Sequence, residues 1–251
     1  MTSRPAITYV LAVHNSTAFL AEHIRRLCAR LEEFPSAEIV LVENGSRDGS
    51  LELARELAAR HSTTTTSVHV DTVPKGLGNA FRRGVAISRG ELLVIVGCDL
   101  PFGFSDLDQR VRMTAPAPLV LGSKSHPQSR TRVPLGRRVM STCFRGARKL
   151  ILGIGAGDTQ GSIMIDGDLA RRVQPYLACT DYLVTTEIVA WAMHFGAQPV
   201  EIPVDYPEPG PSTVSPLGDG MRMMRGMFAM RGRLRKERHI LAPASHVAPP
   251  S

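Results

Sequence analysis

Apolar residues in the first hundred positions fall into short unbroken runs, separated by segments of helical period. The runs are Ile7–Val13 (ITYVLAV), Glu38–Glu43 (EIVLVE), Val68–Val73 and Leu92–Val96 (LLVIV). Five successive apolar residues rich in Val and Ile, as at Leu92–Val96, suit a strand covered on both faces. Between the first two runs, Phe19, Leu20, Ile24, Leu27 and Leu31 recur at helical spacing with Arg and Glu in the gaps. A polar turn precedes a helix over Leu51–Arg60, with Ser50 placed to cap it. Ala80, Phe81, Val85 and Ala86 form a further helical stripe. Alternating strands and helices predict an α/β fold.

The second half is less regular. Leu119–Gly122 predicts a short strand that ends in Ser123–Lys124, Gly136–Leu152 a helix, and Ile163–Ile165 a strand. Leu183–Phe195 predicts a helix and Gln198–Val204 (QPVEIPV) the last strand. Tyr206–Pro216 is Pro-rich and reads as a loop, and Leu217–Arg235 alternates Met and Arg along a helix. His239–Ser251 has the Ala, Pro and Ser content of a disordered tail. The expected organisation is one domain over 1–216, a basic amphipathic helix over 217–238 and a tail over 239–251.

Composition narrows the class. A chain of 251 residues with 43% hydrophobic content can bury a sizeable core. It has no apolar run of spanning length, and MTSRPAITYV lacks the charged-then-apolar order of a signal peptide. Cys28, Cys98, Cys143 and Cys179 are widely spaced, without a zinc-like pairing, and read as reduced cytoplasmic thiols. The net charge of +7 is uneven: Arg130–Arg148 is arginine-rich with no acid, and Arg222–Arg238 is strongly basic. Such surfaces meet nucleic acid, anionic membranes or phosphorylated small molecules. Few aromatic residues, and no aromatic-rich basic motif, set nucleic acid aside.

Candidate chemistry gathers at strand ends, where open α/β sheets bind ligands. Val13 leads into His14–Asn15–Ser16, Glu43 into Asn44–Gly45–Ser46–Arg47–Asp48–Gly49–Ser50, and Val96 into Gly97–Cys98–Asp99. Asp99 reads as a functional carboxylate or as a turn and cap residue; Asn15 and Ser46 carry the same two readings, and Asp48 reads as turn structure. Gly76 and Gly78 open a helix, but Phe81 stands where a dinucleotide fingerprint needs a small residue. NAD is therefore excluded, while backbone N–H groups at a helix start still suit an anion.

In their order, these segments resemble the inverting family 2 glycosyltransferases of the GT-A fold, and within them the dolichol- and polyprenyl-phosphate mannosyl- and glucosyltransferases. Gly76–Ala80, Ala86–Glu91, Gly97–Leu100, Gly122–Lys124, Arg138 with Ser141, Asp158–Gln160 and Glu187 complete the set, over roughly Ile7–Tyr206. The resemblance implies a three-layer α/β/α fold with a mixed, mostly parallel sheet. It implies transfer of a mannose- or glucose-type hexose from a nucleoside-diphosphate sugar, of the GDP-mannose or UDP-glucose type, to a polyprenyl phosphate. Donor contacts are implied at Val13, Asn15, Glu43, Ser46, Gly76, Asn79 and Asp99. Acceptor or phosphate contacts are implied at Lys124, Arg130, Arg138, Ser141 and Gln160, although the arginines also read as a solvated helix face.

Two departures bear on mechanism. The family's Asp-x-Asp motif has Gly97 at its first position here, and Pro101 stands where a Gln is common. Asp99 alone would hold Mg²⁺ or Mn²⁺, with water and phosphate oxygens. Alternatively metal dependence is weakened or lost, with Lys75, Lys124 or an arginine neutralising the diphosphate. Ile163 and Met164 replace the Phe and basic residue that follow the family's Asp158-like segment. A phosphate acceptor attacks without a base, whereas a hydroxyl acceptor would need one, for which Glu187 and Asp158 are the candidates. The Met/Arg helix either lies on an anionic membrane at the inner face of the cell membrane or closes the domain with Met in the core. A soluble, polysaccharide or natural-product acceptor, and a degenerate non-catalytic sugar-nucleotide binder, are the alternative functions.

Overall fold

The apolar runs fold as strands β1 (Ile7–Val13), β2 (Ala37–Glu43), β3 (Thr66–Thr72) and β4 (Leu92–Gly97), joined by α1 (Leu20–Leu31), α2 (Ser50–His61) and α3 (Leu77–Ile87). The structure, a computed structural model, describes residues 4–131, 135–206 and 216–241, with side chains over 4–131, 141–206 and 220–237. Next come α4 (Ser105–Arg112), β5 (Leu119–Ser123), β6 (Arg130–Thr131), α5 (Leu135–Leu152), β7 (Ile163–Asp166) and α6 (Gly167–Val173). A 3-10 turn at Gln174–Tyr176, α7 (Val184–His194), β8 (Val200–Pro203), β9 (Asp205–Tyr206) and α8 (Pro216–Leu241) complete the order.

Seven strands form one sheet in the order β3-β2-β1-β4-β7-β5-β8, while β6 and β9 pair separately. β7 runs antiparallel to both neighbours and the other pairings in the large sheet are parallel. Every residue of β1 and β2 is buried, as strands covered on both faces require. Side chains alternate between two cores. Val10 and Ala12 join α3, α6 and α7 on one face; Tyr9, Leu11 and Val13 join α1, α2 and α4 on the other. This is the mixed three-layer α/β/α architecture expected.

The order of β1 and β4 places the site. From β1 the chain builds outward through β2 and β3 on one side, and through β4 on the other. The crevice at the carboxyl ends of β1 and β4 is therefore the switch point at which such sheets bind ligands.

Four expectations change. α4 (SDLDQRVR) was not foreseen, because it buries only Asp106 and Leu107 and carries no apolar stripe. α6 is also new, and Asp166 caps it by accepting N–H bonds from Asp168 and Leu169, both at 3.0 Å. Ser50 does not cap α2 but begins it; its hydroxyl oxygen accepts the Ser16 N–H at 2.7 Å and its O–H reaches Asp48 at 2.6 Å. α8 runs into the stretch expected as a tail, whose remainder lies outside the described residues, as does most of the Tyr206–Pro216 loop. Among the described residues, no helix is long and apolar enough to cross a membrane.

Candidate active site

The turns after β1 and β2 are cross-linked into one wall. Asn15 takes a left-handed φ of 48°, a conformation Asn tolerates better than most residues. Its N–H donates to Ser46 Oγ at 3.0 Å, and its Oδ1 accepts the Arg47 N–H at 2.9 Å. Ser46 N–H in turn donates to Glu43 Oε1. Asn44 Nδ2 donates to the Val13 carbonyl at 2.8 Å. Val13, Asn15, Glu43 and Ser46, expected as donor contacts, thus come together at the carboxyl edge. Hydrogen bonds from Ser50 and Thr17 hold the Asp48 carboxyl well below the usual range, as a brace of this turn.

Gly76 and Gly78 are placed differently from expectation. A Cβ on Gly78 would stand 2.2 Å from the Cys179 carbonyl oxygen, and one on Gly76 2.5 Å from that of Thr180. The Gly78 N–H donates to Thr180 O at 3.1 Å and the Gly76 N–H to Asn44 Oδ1 at 3.3 Å. The glycine pair therefore admits the 178–180 backbone, and its amides are already committed rather than offered to an anion. Asn79 donates to the carbonyls of Pro74 and Lys75, which shapes the loop ahead of α3.

The 178–180 segment is held by Glu187. This carboxylate has no solvent exposure. Its Oε2 accepts N–H bonds from Ala178 at 3.0 Å and Cys179 at 2.8 Å, and its Oε1 lies 2.5 Å from Arg233 Nη2 on α8. Arg233 also donates to the Tyr176 carbonyl at 3.0 Å. The candidate base Glu187 is thus a buried anchor between α7, α8 and the loop, closed to a substrate hydroxyl.

Asp99 stands just past β4, next to the β1 turn. Cys98 Sγ lies 3.2 Å from Ser16 Oγ, and the Cys98 carbonyl lies 3.0 Å from His23 Nδ1. Leu100 follows at a φ of 43°, a strained conformation for a γ-branched residue and of the kind that clusters at functional sites. Asp99 Oδ1 sits 2.5 Å from where a Cβ on Gly97 would be, so the carboxylate folds back over the glycine. Asp99 is exposed at the surface, and partial desolvation by its neighbours raises its pKa, opposed by its own N–H and by the charges of His23 and Lys124.

Lys124, Asp158 and Gln160 form a second group, whose lysine charge acts on Asp99. Asp158 Oδ2 takes the Lys124 N–H at 3.2 Å and its ammonium at 3.1 Å, and Oδ1 takes the Gln160 N–H at 2.8 Å. Both oxygens of Asp158 are engaged, so it acts as the holder of Lys124 rather than a free base. The ammonium lies 5.5 Å from the centroid of the Phe102 ring and 5.7 Å from that of Tyr206, within cation–π range. The other acceptor candidates are less gathered. Arg130 lies on β6 with an exposed side chain, Ser141 is exposed on α5, and Arg138 lies outside the residues whose side chains are described. Met164 is fully buried in the core, so β7 offers no cation there.

Several contributors carried no local signal. Phe102 and Tyr206, from separate parts of the chain, both reach Lys124. Arg148, on α5, is 1% exposed and donates to Thr159 Oγ1 at 2.8 Å and to the Ala156 carbonyl. Burial lowers its pKa, opposed by the charges of Asp158 and Glu201. Its one signal is its place on the helical stripe of Ser141 and Arg145.

A divalent ion has a restricted fit. Among the described residues, no group of three His, Cys, Asp or Glu side chains could hold one. Asp99 is a single carboxylate, and Gly97 adds no ligand. Mg²⁺ is commonly bound through one or two carboxylates plus substrate phosphates. Asp99 therefore fits an ion that shares the diphosphate, not one caged by the protein.

α8 divides its apolar residues. Met227 and Met230 are fully buried, and Arg231 Nη1 donates to the Ile151 carbonyl at 2.9 Å, docking the helix on α5. Met221 (68% exposed) and Phe228 (57%) face outward, as does Leu150 (83%) on α5. Met therefore serves the core and the outer surface on one helix.

Residues 8–121 match the profile described as glycosyl transferase family 2. A dolichyl-phosphate beta-glucosyltransferase of Trichomonas vaginalis is 26% identical over 89% of this chain and 68% of its own length. Polyprenol monophosphomannose synthase of Mycolicibacterium smegmatis is 28% identical over 82% of each. Glucosyl-3-phosphoglycerate synthase of Mycobacterium tuberculosis, crystallised with Mn²⁺, UDP and phosphoglyceric acid, superposes with a TM-score of 0.62 at 17% identity. That match covers 92% of this chain and 78% of the solved one, and shows the fold. With the switch-point crevice and its ordered strand-end turns, these likenesses give the chain the GT-A fold and a segment, 8–121, similar to family 2 glycosyltransferases.

Proposed function

We propose that the protein transfers a hexose of the mannose or glucose type, with inversion, from a nucleoside-diphosphate sugar to a polyprenyl phosphate. The observation that carries the reading is the closeness of Asp99, just past β4, to Lys124, whose charge acts on it and which Asp158 holds beside the Phe102–Tyr206 ring pair. The names of the dolichyl-phosphate and polyprenol relatives support the choice of acceptor.

In this reading the nucleoside lies along the Val13–Asn15 and Glu43–Ser46 wall, and the diphosphate reaches Asp99. The acceptor phosphate lies towards Lys124. With a second pKa of about 6, it is largely ionised near neutral pH. Its oxygen attacks the anomeric carbon from the face opposite the diphosphate. The new C–O bond forms as the bond to the diphosphate breaks, and the configuration inverts. No proton has to be removed, which agrees with the closed environments of Glu187 and Asp158. A divalent ion bound by Asp99 and the diphosphate would supply charge neutralisation of the leaving group; Lys124 supplies positive charge from the chain itself.

The outward face of α8 fits an anionic membrane surface. Met221, Phe228 and the neighbouring Leu150 offer apolar contact, and Arg225 and Arg235 offer charge. A lipid acceptor would then be met at its own surface.

The test is a screen of radiolabelled GDP-mannose, UDP-glucose and related donors over a short-chain polyprenyl phosphate, with and without Mg²⁺ or Mn²⁺. Label entering the organic phase is the expected result. Transfer confined to soluble acceptors, or donor binding without turnover, would overturn it.

A further inference from the structure

Arg148 is one of the largest fully buried side chains in the protein, yet its hydrogen bonds go to a threonine hydroxyl and a carbonyl, not to a carboxylate. Among the described residues, its Nε has no hydrogen-bond partner. The charges of Asp158 and Glu201 act on Arg148 without a direct hydrogen bond, so burying the guanidinium here still costs stability and its place calls for a use. The two acceptors, Ala156 and Thr159, flank Asp158. Thr159 Oγ1 lies 2.8 Å from Thr186 Oγ1, which ties the same turn to α7. Asp158 then holds Lys124 through both its backbone N–H and its ammonium. Along α5, Ser141, Arg145 and Arg148 share one stripe, exposed at Ser141 and buried at Arg148.

We propose that Arg148 is the positioning residue of the acceptor site: it clamps the 156–159 turn so that Asp158 keeps Lys124 at the acceptor's phosphate. The inference rests on the phosphate-acceptor reading above. It separates Arg148 from a packing residue, because loss of a merely structural arginine would affect donor and acceptor binding alike.

The experiment compares wild type, Arg148→Met and Arg148→Lys in steady-state transfer to farnesyl phosphate, with thermal unfolding in parallel. For Arg148→Met the expected result is an acceptor KM raised about tenfold or more with a donor KM within about twofold of wild type, whatever the change in Tm. Arg148→Lys, which keeps the charge but not the fork, should recover part of the acceptor KM. Should Arg148→Met fail to fold, Thr159→Val removes one anchor at nearly constant shape and should raise acceptor KM alone, by a few-fold. An unshifted acceptor KM overturns the inference. So does a lowered Tm with donor and acceptor KM rising together, the behaviour of a structural arginine. A wild-type protein that moves no sugar to the lipid phosphate overturns the proposed function and this inference together; a working wild type with an unshifted variant overturns this inference alone.

Discussion

Replacing Glu187 by Gln separates a structural from a catalytic carboxylate. In the native protein Glu187 is fully buried, accepts two backbone N–H bonds and pairs with Arg233. Gln keeps one carbonyl oxygen for those amides but leaves Arg233 without its anion. Removing one partner of a buried ion pair costs about 3–5 kcal/mol. The Arg233 side chain is 34% exposed and recovers water, which discounts the loss to about 3 kcal/mol. For a chain of this size, each kcal/mol moves Tm by about 2–4 °C, so a fall of about 6–12 °C is expected. Calorimetry measures it, and steady-state assays at 25 °C measure kcat, expected to drop less than about tenfold. Loss of a general base would instead lower kcat by about 10²–10⁴. An unchanged Tm with kcat lowered more than about a hundredfold would refute the anchor assignment. The double variant Glu187→Gln/Arg233→Met should be less destabilised than the two single effects summed, because the sites are in contact.

Other outcomes follow from the same geometry. Gly78→Ala places a Cβ 2.2 Å from the Cys179 carbonyl and should cost about 1–3 kcal/mol in urea unfolding; an unchanged midpoint would refute the close approach. Burial raises the Asp106 carboxyl pKa, so the folded state binds that proton more tightly than the unfolded chain. Its contribution to stability is complete below the ordinary carboxyl range and is lost as pH rises through the raised value. Asp106→Asn should flatten the stability profile over that window, and a profile parallel to wild type would count against it. Asp99→Ala should lower turnover by orders of magnitude, and near-normal turnover would sink its role. Gly97→Asp adds a second carboxylate and crowds Asp99 Oδ1 out of its fold-back position. It should tighten Mn²⁺ binding in the presence of UDP or GDP, read by calorimetry, and unaltered affinity would contradict the single-ligand account.

The strands that build the crevice were legible because their signals are local. Leu92–Val96 is an unbroken apolar run, and Gly97–Asp99 marks its end within a few residues. The turns at Asn15 and Ser46 were legible for the same reason, since short polar residues at strand ends compete for backbone groups. α4 was not, because its exposed surface leaves no periodic stripe. The Gly76–Gly78 pair was misread for a related reason. Glycine announces a close approach but not its partner, and here the partner is the carbonyl backbone about a hundred residues on.

The sequence by itself determined the alternation of β1, β2, β3 and β4 with helices, the carboxylate at the end of β4, and the missing first Asp of the metal motif. Only the tertiary structure decided that β7 inserts antiparallel between β4 and β5, that Asp158 holds Lys124 against Phe102 and Tyr206, and that Glu187 is sealed by Arg233. The first set depends on periodicity and turn chemistry over a few residues. The second depends on which faces the strand order brings together, and on which charges the packed chain leaves no water to reach.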